Sequence, residues 1–128
     1  MSFRCPQCKT RDSLEIISIL ELPPDAHSGE IALQVVECSA CQFRGLAVYE
    51  EGRDSVPESE SWAHTGYWVS PDAVESVLLA TGQCPEPHNP QCRCSSHQAL
   101  GKKDVYGIWR GLLEMERAHT FTMRLAAG

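Results

Sequence analysis

Seven cysteines fall in tight groups along a chain of 128 residues. They read Cys5-Pro6-Gln7-Cys8, Cys38-Ser39-Ala40-Cys41, and Cys84, Cys92 and Cys94 followed by His97. Such clustering offers two readings, a disulfide framework or metal ligands, and the compartment decides between them. The opening residues Met1-Ser2-Phe3-Arg4-Cys5 lack an apolar leader. Apolar runs such as Val77-Leu78-Leu79-Ala80 are far shorter than the ~20 residues a bilayer span needs. The expectation is a cytoplasmic protein with no membrane association, whose thiols stay reduced and bind metal.

The two Cys-x-x-Cys pairs are separated by 29 residues that carry the pattern of a β-hairpin. A two-residue gap lets both thiolates of a pair face one ion, and a hairpin brings two pairs together at its open end. Four thiolates then close a tetrahedron. Dithiol exchange is the rival use of Cys-x-x-Cys, but no βαβ pattern surrounds either pair. Iron is the rival metal, since an all-sulfur tetrahedron suits both.

These residues resemble the zinc-ribbon class, a few antiparallel strands clamped by two cysteine knuckles, over residues 5 to about 49. The resemblance implies a zinc ion on Cys5, Cys8, Cys38 and Cys41. Many ribbon knuckles place glycine directly after the second cysteine, whereas Lys9 and Gln42 stand there in this chain. The class spans transcription, translation and protein-binding modules, so it implies little about activity.

In the second group, three cysteines fall within eleven residues and a histidine follows three positions later. Cys84, Cys92, Cys94 and His97 make a four-donor set, with His88 as the alternative imidazole. An iron–sulfur cluster is the main competitor to zinc. Sites of four and three thiolates use all seven cysteines, so the expected complement is two zinc ions.

Between these groups, Leu14–Leu22 is rich in β-branched residues, and Leu14, Ile16, Leu20 and Leu22 share one face of the predicted strand. Pro23 to Gly29 is a turn cluster, and Ile31, Leu33 and Val35 alternate in the strand that follows. A third strand is expected over Phe43–Tyr49, an acidic loop over Glu50–Ser61, and a short strand at Tyr67-Trp68-Val69. Ser70-Pro71-Asp72 starts a helix that runs to about Thr81, with Gly82 placed to end it. Val105, Ile108, Trp109, Leu112 and Leu113 keep the spacing of a second helix, and Phe121, Met123 and Leu125 alternate as a closing strand. The predicted fold is α+β in one domain over 1–128: a small antiparallel sheet with a zinc ribbon over 1–49, then a part over 50–128 with one or two helices and the second cysteine/histidine cluster.

The formal charge of −6 lacks the basic footprint of a nucleic-acid binder. It divides unevenly, with 14 acids and 5 bases in residues 1–89 against 3 acids and 6 bases in 90–128. Catalytic signatures are missing: there is no His-Glu-x-x-His, no histidine followed two places later by glutamate, no phosphate loop and no Gly-x-Ser-x-Gly. A catalytic zinc keeps one position open, and both groups here supply four donors. The leading expectation is a structural zinc-binding module that recognises a partner protein. The alternatives are RNA or DNA binding through Arg93, Lys102 and Lys103, and a metal-dependent enzyme using His64 beside the acidic loop.

Overall fold

The computed structural model describes residues 2–26, 28–52, 62–110, 112, 115 and 117–123. Its centre is a six-stranded antiparallel sheet in which every strand pairs with the next in sequence. The strands are β1 (Ser2–Phe3), β2 (Leu14–Leu22), β3 (Ser28–Cys38), β4 (Arg44–Gly52), β5 (Trp62–Tyr67) and β6 (Thr120–Thr122). Helices α1 (Pro71–Gln83) and α2 (Ser95–Leu100) lie between β5 and β6 in sequence. The α+β class follows, with one strand, β1, beyond the five that the sequence pattern announces.

The strands outside β2–β4 are short or lack apolar alternation. β1 has two residues and depends on β2 for its pairing. β5 sits earlier than the predicted Tyr67–Val69 strand, because Trp62–Tyr67 pairs with Leu46–Glu51 of β4. Glu50, Glu51 and Gly52, expected in a loop, extend β4. The rest of the acidic stretch, 53–61, lies outside the described residues, as do His27 and the residues beyond Met123.

One expectation about β2 fails for a specific reason. A bulge between Ile16 and Ser18 shifts the register against β3, and one extra residue reverses which face every later side chain takes. Leu14 and Ile16 therefore pack with Phe3, Val36, Phe43, Ala47 and Met123 on one face. Leu20 and Leu22 pack with Ile31, Leu33, Val35, Leu46 and Val48 on the other. Residues 31–36 of β3 are buried without interruption, so both faces of the sheet are covered.

The helices cover the second of these faces through Val74, Val77 and Leu100. Ser70 caps α1 by accepting a 3.2 Å hydrogen bond from the Ala73 amide, and Pro71 opens the helix. The helix passes through Gly82 to Gln83 and ends on Cys84 in extended backbone. Gly82 thus supplies no left-handed turn. The other face is closed where the sheet's two ends approach: the Phe3 ring of β1 meets the His64 ring of β5 edge-on at 5.2 Å, and Met123 is buried beside Phe3.

No helix forms over Val105–Ile108. Lys103 instead bridges to Trp109 across a turn. Asp104 captures the amides of Tyr106 and Ile108 at 2.8 and 3.1 Å, and Gly107 takes φ +75°. An aspartate that bonds the backbone locally and a left-handed glycine defeat apolar spacing as a helix signal. Gly111 and Leu113 lie outside the described residues.

Candidate metal centres

The first centre grows from the two ends of the β2–β3 hairpin. Cys5 follows β1, and Cys38 ends β3 opposite Leu14 of β2. Each Cys-x-x-Cys pair folds into the same turn. In the first, the amides of Gln7 and Cys8 donate to Cys5 Sγ at 3.3 and 3.5 Å. Lys9 N–H donates to Cys5 O at 3.1 Å, and Cys5 N–H donates to Thr10 O at 3.1 Å. In the second, the amides of Ala40 and Cys41 donate to Cys38 Sγ at 3.3 and 3.4 Å. Gln42 N–H donates to Cys38 O at 2.9 Å, and Cys38 N–H donates to Phe43 O at 2.8 Å.

Both turns need a left-handed residue after the second cysteine. Lys9 and Gln42 take φ 66°, the conformation that glycine adopts at no steric cost. The turn geometry is thus kept without glycine, at the expense of local strain.

The four sulfur atoms converge within 4.8 Å of one another. Cys5 and Cys41 are 3.6 Å apart, and Cys8 and Cys38 3.7 Å. Four ion–thiolate bonds of ~2.3 Å in a tetrahedron set ligand–ligand edges of roughly 3.8 Å, far longer than the ~2.0 Å of a disulfide. The spacing fits a shared ion. Burial of the thiols grades across the group, with Cys5 and Cys38 fully buried and Cys8 exposed.

The electrostatics agree. Burial drives the Cys5 thiol up to about 12. Burial also raises Cys38, but the Ser13 hydroxyl and the amides of Cys41 and Ala40 outweigh it and bring that thiol down to about 6. Thiols in mutual contact cannot all ionise without a compensating charge, and a bound dication supplies it. Ser13 has no sequence signature; its role depends on the 3.2 Å approach of its Oγ to Cys38 Sγ.

The second centre is assembled from dissimilar parts. Cys84 caps the end of α1, Cys92 lies on a loop, and Cys94 and His97 stand at the N-cap and first turn of α2. All four donor atoms again lie within 4.8 Å of one another. Cys84 Sγ is 3.8 Å from Cys92 Sγ and 3.1 Å from His97 Nδ1, and Cys94 Sγ is 3.5 Å from that same nitrogen. His88, the alternative imidazole, is exposed and stands outside this group.

His97 is only 2% exposed. Its Nε2–H donates to the backbone carbonyl of Glu21 at 2.9 Å, which leaves Nδ1 as the nitrogen with a free lone pair. A carbonyl behind the imidazole fixes both tautomer and ring orientation, as at bound metals generally. The Glu21 amide in turn donates to Pro87 O at 2.8 Å. Both outward backbone groups of Glu21 are thus taken by the second centre, whose loop and α2 cover an edge of β2 that β1 leaves open. A main-chain carbonyl 76 positions away leaves no trace in the sequence.

Burial drives the Cys84 thiol up to about 11. The His97 amide and side chain, with help from the neighbouring thiols, bring Cys94 down to about 6. One low and one high thiol again mark a group that favours a cation.

Among the described residues, these two groups are the convergent sets of three or more histidine, cysteine, aspartate or glutamate side chains. His64 belongs to neither. Its Nε2–H donates to Gln34 Oε1 at 2.7 Å between the rings of Phe3 and Tyr49, and burial pushes it below the usual imidazole range. Glu58 and Glu60, the acids expected beside it, lie outside the described residues. Trp68 packs on Phe43 at 4.6 Å, while Tyr67 joins the core. None of the described helices is long and apolar enough to cross a membrane. No protein-family model, curated protein or solved structure matches the chain.

Proposed function

We propose that the chain is a structural zinc-binding module of the zinc-ribbon kind, carrying two zinc ions and acting by holding a surface for a partner protein. The observation that carries this reading is that each centre offers four soft or borderline donors at tetrahedral spacing. An ion held by four protein ligands has no position for a catalytic water. Zinc fits both sets because it accepts thiolate and imidazole together without redox chemistry.

Charge favours a protein over a nucleic acid. Zinc on four thiolates carries a net double negative charge, and zinc on three thiolates and an imidazole a single one. Arg4, Lys9 and Arg11 accompany the first centre, and Arg93, Lys102 and Lys103 follow the second. Arg4, Lys9, Arg11 and Arg93 offset that metal–thiolate charge, and a formal charge of −6 for the chain works against a phosphate backbone.

Elemental analysis and native mass of the purified chain test the reading. Two zinc ions per chain and no visible absorption are expected. Iron, or colour in the visible range, would move the protein into electron transfer. Substrate turnover by the two-zinc chain without any partner would overturn the non-enzymatic part.

A further inference from the structure

We infer that the turn Asp104–Ile108 is the docking element, and that its partner is a protein presenting an apolar pocket with an acidic rim. The inference rests on the partner-protein reading above and names the surface.

Val105 and Tyr106 are 93% and 79% exposed, more than any other large apolar side chain among the described residues. Leaving two such side chains in water forgoes the stabilisation that their burial would bring. The fold does nothing to recover it and instead fixes the turn that displays them. Asp104 Oδ1 accepts from the Tyr106 and Ile108 amides, and its backbone accepts from Gly107 N–H at 3.0 Å. Asp104 N–H donates to Ile108 O at 2.9 Å, and Gly107 O accepts from Ala26 N–H at 3.0 Å.

The base of the turn is fastened to the β2–β3 hairpin. The buried Asp25 carboxylate accepts from Trp109 N–H at 2.7 Å and from Ser28 N–H at 2.5 Å. The Trp109 indole donates to Leu100 O at 2.9 Å, next to the second centre's helix. A fixed backbone leaves only the side-chain torsions of Tyr106 to be ordered on binding, and tyrosine is enriched among the residues that dominate interface energetics. Leu79, 65% exposed on α1, stands without a second exposed large apolar side chain on that helix.

The chemistry of the partner follows from the charges at the base. Lys102 and Lys103 enter the turn and Arg110 leaves it. The one carboxylate between Pro90 and Arg110 is Asp104, and Arg110 Nε holds it at 2.7 Å. Arg110 and Asp104 neutralise one another, so the excess charge at the base of the turn is that of Lys102 and Lys103, the latter's Nζ donating to Pro24 O, in a chain that is acidic as a whole. Lysines around an apolar tip complement carboxylates around an apolar pocket.

The test places a photoreactive benzoyl-phenylalanine at Val105, or at Leu79 as a control, in the zinc-loaded full chain within its own cell. Irradiation is expected to give a discrete protein adduct from position 105 and not from 79, with carboxylates in the crosslinked peptide. Tyr106→Ser should lower its yield about tenfold, the scale of a truncated hot-spot residue, and Lys102→Glu with Lys103→Glu should lower it further while the melting temperature stays put. Equal adducts from both positions, or insensitivity to Tyr106→Ser, would sink the turn as the docking element but leave a protein partner standing. Nucleic-acid adducts at 105, or no protein adduct anywhere, would overturn both.

Discussion

At Cys5, Cys8, Cys38 and Cys41, two turns with the same four hydrogen bonds face one another. At Cys84, Cys92, Cys94 and His97, the donors come from a helix end, a loop without strand or helix, and the start of a six-residue helix. The difference teaches where ordering comes from. In the first centre the backbone arranges the donors, and an ion would close a nearly finished site. In the second an ion, with the two Glu21 contacts, would take the place of secondary structure between Cys84 and Cys94. The first closes the open end of the β2–β3 hairpin, whereas the second covers an edge of β2.

The largest effect expected from breaking this contrast is at Cys38. Cys38→Ser removes a fully buried ligand that belongs to the cluster of Phe3, Leu14 and Val36. Structural zinc contributes an apparent ~10–16 kcal/mol in small domains, against a net stability of ~5–15 kcal/mol for a whole domain. Loss of a cooperative thermal transition is expected, read by circular dichroism and calorimetry. A melt like that of the parent chain would show that the first ion is not structural.

Next in size is the second centre. Cys92→Ser should leave the sheet's far-ultraviolet signal in place while one of two zinc ions is lost. Amide exchange should rise across Cys84–Cys94 and at Glu21, whose N–H depends on Pro87. Loss of the whole sheet in this variant would erase the distinction between an edge clamp and a core pin.

A sharper cut separates the two histidines. His97→Ala should reduce zinc to one per chain, because His97 Nδ1 is the nitrogen aimed at Cys84 and Cys94. His88→Ala should leave it at two. The opposite result would require the loop to rearrange so that an exposed imidazole displaces a buried one.

How much of this was readable from sequence follows the same divide. The first group and the hairpin between its pairs were legible because Cys-x-x-Cys spacing and strand alternation are local patterns. The four donors of the second group were legible as residue types, but their geometry depends on Glu21 O, which is distant in sequence and carries no side-chain signal. The β2 bulge was hidden because Ile16, Ile17 and Ile19 are all apolar, so alternation cannot reveal the extra residue. The missing helix over Val105–Ile108 shows the converse. Its apolar spacing is genuine, but Asp104 and Gly107 write a turn over it, and Val105 and Tyr106 are left in water. β5 and β6 form by pairing with β4 and with each other, and Gly66 permits it: a Cβ there would lie 2.2 Å from the Phe121 ring.

The smallest effect sharpens the account of the first centre. Lys9 and Gln42 hold the left-handed conformation that its two turns require, and a non-glycine residue there costs on the order of 1 kcal/mol or more. Glycine removes that strain but gives back part of the gain, because the unfolded chain becomes more flexible. Lys9→Gly and Gln42→Gly are each expected to raise stability by up to ~1 kcal/mol in denaturant titrations with zinc in excess. Their effects should add, since each turn is closed by its own hydrogen bonds and the two residues do not share a partner. Because Lys9 also carries one of the charges beside the thiolates, a smaller gain there than at Gln42 would measure what that charge contributes. A loss of stability at Gln42, where no charge is removed, would mean that the left-handed turn is not the strained element of the site.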